Sequence, residues 1–154
     1  MPVAVNQRGK RVLFACIAAL SVAGVIVSAV SVQRHYAKSA TDFCDFSQNF
    51  NCDIVNRSEY SEVAGIPVAG IGVAGYAVLF LLSTIWRSRP ETPTRLLLAA
   101  VVGLTFALYL TYVEAYKLHT WCILCVISQI IIFLIMVSAA IVKLRSRHDD
   151  PLYS

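Results

Sequence analysis

Five cysteines stand in this chain of 154 residues, and four of them have a spacing that could do chemistry. Cys122 and Cys125 form a C-x-x-C, read Trp121-Cys122-Ile123-Leu124-Cys125, at the start of the last apolar stretch. Three apart on a helix, they share one face. A helix N-terminus offers free N–H groups and a positive dipole end, which favour thiolate, the reactive form of cysteine. Such a pair makes an exchangeable disulfide, not an inert staple. Cys44 and Cys52 lie eight apart in a polar loop after the first apolar stretch. Taken alone, that pair reads as a static loop disulfide, which a compartment outside the cytoplasm permits. Two pairs on one membrane face can instead pass a disulfide from one to the other through a mixed intermediate. The electrons then need a final acceptor, and a lipid-soluble quinone suits a site at a membrane boundary.

The elements that must position these thiols are long apolar helices. Hydrophobic residues make up 58% of the chain and charged residues 14%, against nearer half and a quarter in soluble domains. Uncharged runs carry the excess: Val12 to Gln33 (22 residues), Val63 to Trp86 (24), Leu96 to Val113 (18) and Leu118 to Val142 (25). A helix needs roughly 20 apolar residues to cross the hydrocarbon core. The expected fold is therefore an all-α membrane protein, a four-transmembrane-helix bundle with spans at about 12–33, 66–86, 96–116 and 120–142. No ten-residue alternating strands suggest a barrel. The first run follows Arg8, Lys10 and Arg11 but is too long for the apolar region of a signal peptide. The chain length allows one membrane domain over residues 1–154 and no second folded unit.

Basic residues set the expected orientation. Arg8, Lys10 and Arg11 precede the first span, Arg87, Arg89 and Arg95 separate the second and third, and Lys143, Arg145 and Arg147 follow the fourth. These nine of thirteen basic residues should face the cytoplasm, with both termini. Arg34, Lys38, Arg57 and Lys117 face outward, diluted by Asp42, Asp45, Asp53, Glu59 and Glu62. All four spaced cysteines then fall outside. The formal net charge of +4 follows the topology and requires no nucleic acid.

The loop from about Gln33 to Ile66 is the one long polar segment, and Phe43, Phe46, Phe50 and Tyr60 should fold it over the bundle mouth. Ser58-Glu59-Tyr60-Ser61-Glu62 predicts a capped, interfacial half-helix, which Gly65-Ile66-Pro67 ends while opening the second span. Cys16, near the inner end of the first span, reads as a packing residue. Glu114, near the outer end of the third span, is either a proton relay or an interfacial carboxylate paired with Lys117 or facing water. Tyr109, Tyr112, Tyr116 and Trp121 read as an aromatic belt. Gly65, Gly70, Gly72 and Gly75 permit close helix packing or close approach to a flat ring. His35 and His119 have no neighbours at metal-ligand spacing, so no metal site is expected.

At these residues the chain resembles the vitamin K epoxide reductase family. The likeness rests on Cys44 and Cys52, on the run Cys52-Asp53-Ile54-Val55-Asn56-Arg57-Ser58-Glu59-Tyr60, on Gly65-Ile66-Pro67 with Gly72, and on Cys122-Ile123-Leu124-Cys125. It extends from about Arg11 to Lys143 and is nearest the short bacterial form without a fused thioredoxin-like domain. The resemblance implies a membrane thiol–disulfide oxidoreductase of a bacterial inner membrane, with its active site on the periplasmic side. It would oxidise a separate thioredoxin-fold (DsbA-like) partner and reduce a quinone of the ubiquinone or menaquinone class. It assigns Cys122 and Cys125 to the active-site pair, with Cys125 nearest the ring, and Cys44 and Cys52 to a shuttle pair. Cys44 would exchange with the partner and Cys52 with Cys122. Ser58 matches a family hydroxyl near the quinone, and Gln129 stands where the animal enzymes have a tyrosine tied to vitamin K; its amide can still hydrogen-bond a quinone carbonyl, which makes it a quinone-binding residue, whereas epoxide chemistry is not implied. The other quinone-coupled oxidase type, DsbB, carries its C-x-x-C in the first outer loop, the reverse of the order here. A thiol-rich membrane protein with structural disulfides or a metal-handling role is the reading outside the enzyme class, and metal content of the purified protein separates it.

Overall fold

A computed structural model describes residues 2–37 and 51–148. The chain is mostly helical: α1 (Pro2–Tyr36), α2 (Cys52–Asn56), α3 (Val68–Thr84), α4 (Thr92–Val113) and α5 (Ile123–His148). Three of these, over Gln7–Tyr36, Thr92–Leu118 and Ile123–His148, are long and apolar enough to cross a membrane. The fourth apolar helix, α3, has 17 residues and spans about 26 Å at 1.5 Å per residue, a little short of a 30 Å hydrocarbon core. Large apolar side chains lie exposed along the outer faces, among them Leu98, Val102, Ile130 and Leu144. Water would not tolerate so much contiguous apolar surface, and lipid requires it.

The helices pack antiparallel through small residues. A Cβ on Gly24 of α1 would meet the Tyr76 ring of α3 at 2.4 Å, and one on Gly72 would meet Ser28 Oγ at 2.9 Å. These contacts step along the two helices in opposite directions. Tyr76 is locked in turn by its hydroxyl, which donates to the Ser128 carbonyl at 2.8 Å. Arg145 near the end of α5 lies against Gly9 near the start of α1. Helix alternation then gathers the basic residues of α1, of the α3–α4 loop and of α5 at one end, and the cysteine-bearing segments at the other. Ile17, Leu96, Ile135 and Val142, all fully buried, fill the core between.

The loop entering α3 differs from the expected half-helix. Residues Cys52–Asn56 form their own short helix, capped by Asn51, whose side chain accepts from the Ile54 N–H at 3.0 Å. A single 3-10 turn, Glu59–Ser61, follows. Ser58 precedes that turn without capping it by its side chain, because its hydroxyl donates back to the Val55 carbonyl at 2.8 Å. Two short strands, β1 (Glu62–Val63) and β2 (Ile66–Pro67), then pair antiparallel. Ala64 and Gly65 close the turn at φ of 53° and 78°, a left-handed conformation that glycine takes without steric cost. Pro67 is the N-cap of α3.

Candidate thiol site and its cavity

Cys122 and Cys125 sit where a helix begins. Cys122 immediately precedes α5, and its carbonyl accepts the first helical bond from the Val126 N–H at 3.1 Å. It therefore occupies the N-cap position, at the positive end of the dipole. Both are free thiols, Cys122 fully buried and Cys125 half-buried. The Cys125 thiol hydrogen-bonds to Cys122, and this outweighs burial to hold Cys122 below the usual thiol value.

Cys52 lies beside them. It is disulfide-bonded, and to none of the other described cysteines. Cys52 and Cys122 are each 0% exposed and share one apolar cluster with Val55 and Leu124, against which Cys125 packs. The backbone fastens the two segments together, since the Asn51 N–H donates to the Trp121 carbonyl at 3.2 Å. Cys44 lies outside the described residues. Cys16, expected as a packing residue, is exposed on the surface of the bundle, because the buried face of α1 runs through Phe14, Ile17 and Ser21.

Glu114 is drawn into the same site by an irregular turn. Residues Glu114–Leu118 widen into a π-turn at the end of α4, and His119 reverses the chain at φ 52°. The reversal brings the Cys122 N–H onto Glu114 Oε2 at 3.2 Å. Glu114 is 2% exposed, and its Oε1 is buried without a hydrogen-bond partner among the described residues. It therefore neither faces water nor pairs with Lys117.

A cavity of about 800 Å³ opens beside these groups, between the helices and under the 3-10 turn. Its wall is mainly apolar, from α1, α3, α4 and α5, and it includes Cys125, Ser58 and Glu114. Cys122 does not line it. Gly75, where a Cβ would meet nothing, borders the cavity, so this glycine leaves space instead of tightening a helix contact. The cavity does not include Gln129, whose side chain accepts from the Thr111 hydroxyl at 2.5 Å across the α4–α5 interface.

Sequence reasoning gave Asn56 no role of its own and weighed His35 only as a metal ligand. Asn56 is 7% exposed, lines the cavity, and its Nδ2 is buried without a partner among the described residues. His35 at the end of α1 donates from Nδ1 to the Asn56 carbonyl at 2.5 Å, and its Nε2 lies 3.1 Å from Glu62. The Asn51 cap and the apolar Ile54 and Val55 were the only local signs that a short helix would carry Asn56 inward. Contacts 21 residues apart in sequence leave no local signal.

The site thus holds a free dithiol at a helix N-terminus, a bonded cysteine packed against it, and an apolar chamber lined by Cys125. Residues 15–140 match the Vitamin K epoxide reductase family, and the chain belongs to that family.

Proposed function

We propose that this protein is a membrane thiol–disulfide oxidoreductase that oxidises a thioredoxin-fold partner outside the cytoplasm and passes two electrons to a membrane quinone. Family membership supports the oxidoreductase class. The observation that carries the finer reading is the position of the dithiol, with Cys122 packed on Cys52 and Cys125 on the cavity wall. One thiol faces the incoming disulfide exchange and the other faces a chamber for an acceptor.

The cavity fits a quinone. Its volume lies within the range of small-molecule sites, its wall is apolar, and two buried polar atoms on it await a ligand. A bound quinone supplies the two-electron oxidation that regenerates the protein disulfide. The rest of the work falls to the chain. The partner's thiolate attacks the Cys44–Cys52 disulfide at Cys44 and leaves with a disulfide of its own. The freed Cys52 thiolate attacks Cys122, and Cys125 departs as the thiolate, stabilised by the end of α5. Cys44 then resolves the Cys52–Cys122 bond, which leaves the membrane pair as a dithiol beside the cavity. In this scheme Ser58 is a polar contact at the cavity mouth and Gln129 a brace between α4 and α5. The cysteine end of the bundle faces the periplasm of a bacterial inner membrane, with both termini in the cytoplasm.

Trapping tests the relay. Replacing Cys125 with Ala removes the resolving thiol of the membrane pair; Cys122 can then attack Cys52 of the Cys44–Cys52 disulfide, Cys44 departs, and a Cys52–Cys122 bond should accumulate in non-reduced digests read by mass spectrometry. Linkages confined to Cys44–Cys52 and Cys122–Cys125 in every variant and redox state would mean two static pairs and no relay.

A further inference from the structure

Two buried side-chain atoms on the cavity wall have no partner among the described residues: Asn56 Nδ2 and Glu114 Oε1. Buried polar groups are nearly always hydrogen-bonded, and leaving one unmade costs about 1–3 kcal/mol. Asn56 is fixed at its backbone by His35, and Glu114 is fixed at Oε2 by the Cys122 N–H. Both side chains are more than nine-tenths buried. The amide is a donor, whereas the carboxyl accepts when ionised and donates when protonated. A ligand that satisfies both carries one oxygen acceptor and a second oxygen that gains a proton during the reaction.

We propose, on the basis of the quinone reading above, that Asn56 and Glu114 are the polar half of the ring site. Asn56 Nδ2 donates to one ring oxygen and sets the orientation of the head group. Glu114 carries protons from the thiol pair to the ring. Forming the Cys122–Cys125 bond breaks two S–H bonds and releases two electrons and two protons. Both electrons pass to the quinone. Glu114 accepts one thiol proton, delivers it to a ring oxygen, returns to the carboxylate, and accepts the second, so quinol forms with no proton drawn from the bilayer. The hydrogen bond from the Cys122 N–H to Glu114 Oε2, and the cavity wall that Glu114 shares with Cys125, place the carboxyl for this transfer. The other titratable groups on the cavity are His35 from α1, Tyr60 from the loop and Tyr76 from α3, with Arg95 at the far end. Among the described hydrogen bonds and ion pairs none of these contacts Glu114, and Tyr76 is committed to Ser128.

Glu114→Gln and Asn56→Leu, made in the full chain in lipid, separate the two roles. Glu114→Gln keeps an acceptor for the Cys122 N–H but cannot titrate. It should lower kcat for quinol formation about 100-fold or more, the usual contribution of a positioned acid or base, with little change in KM for quinone. It should also shift the alkylation profile of reduced Cys122 to lower pH, because a neighbouring negative charge that disfavours thiolate is gone. Asn56→Leu should raise KM for quinone about tenfold and leave the Cys122 profile where it is. Glu114→Asp should restore part of the lost kcat, which a purely structural role would not. Wild-type kcat and an unmoved Cys122 profile in Glu114→Gln would overturn the proton role, and an unchanged KM in Asn56→Leu would overturn the ring contact. If the wild type reduced no quinone while Glu114→Gln still moved the Cys122 profile, the quinone reading and the role of Asn56 would fall. The tie between Glu114 and the thiol pair would stand.

Discussion

Cys122 and Cys125 occupy different environments three residues apart, and this asymmetry underlies the chemistry proposed for them. Cys122 is sealed among Cys52, Val55 and Leu124, at a helix N-cap, with a thiol neighbour donating to its sulfur. Its thiolate should therefore persist below the ordinary thiol range near 8.5. Alkylation of reduced Cys122, followed by peptide mass spectrometry across pH, should stay fast down to lower pH than for a free thiol. Cys125→Ala should move the profile back up, since the hydrogen bond that lowers it is lost. A profile unchanged by Cys125→Ala would mean that the pair does not share its charge. The C-x-x-C was legible in the sequence because reactivity at a helix start depends on local spacing. That Gln129 turns to Thr111 and lies off the cavity wall was not legible in this way, because which way a helix turns a side chain depends on its neighbours. Glu114 was singled out by its depth in the third span, whereas Asn56 stands out only once the partners of the buried polar atoms are counted.

At the scale of elements, glycine positions divide into two kinds. Gly24 and Gly72 let α1 and α3 approach, while Gly75 keeps the cavity open. Gly24→Ala should destabilise the bundle by about 1–3 kcal/mol, as overpacking does, because its Cβ would meet a Tyr76 ring held in place by Ser128. Gly75→Leu should leave the melting temperature nearly unchanged and raise KM for quinone, by filling the chamber. Equal losses of stability in the two variants would remove the distinction. The apolar runs made all four apolar helices readable from the sequence, since length and the absence of charge suffice. The entry to α3 was less readable. Acidic residues behind Ser58 suggested a capped helix, but the Ser58 hydroxyl turns back to Val55 and the left-handed pair Ala64–Gly65 folds the following chain into a tight hairpin. The π-turn at Glu114 has no sequence period of its own, yet it is what turns the carboxylate toward Cys122.

Taken whole, the molecule holds most of its basic residues away from its thiols. Basic residues collect at the end where Gly9 meets Arg145, and the cysteine pair with its cavity lies at the other. In a membrane this polarity sets orientation. A reporter active only outside the cytoplasm should work when fused near Lys38 or after Lys117, and should fail at Arg89 or after the last residue. The reverse pattern would place the thiols in a reducing compartment. The account as a whole rests on electron transfer from a protein dithiol to a quinone. Its most direct test is quinol formation by the purified protein in lipid, given a reduced thioredoxin-fold protein and a prenylated quinone. Quinol and oxidised partner should appear in equal amounts. Cys122→Ser or Cys125→Ser should abolish both, and Cys44→Ser or Cys52→Ser should abolish turnover with the protein partner while a small dithiol still supports some. Cys16→Ser should behave as the wild type. Quinol formation that survives Cys125→Ser, or a wild type that oxidises the partner without making quinol, would contradict the account.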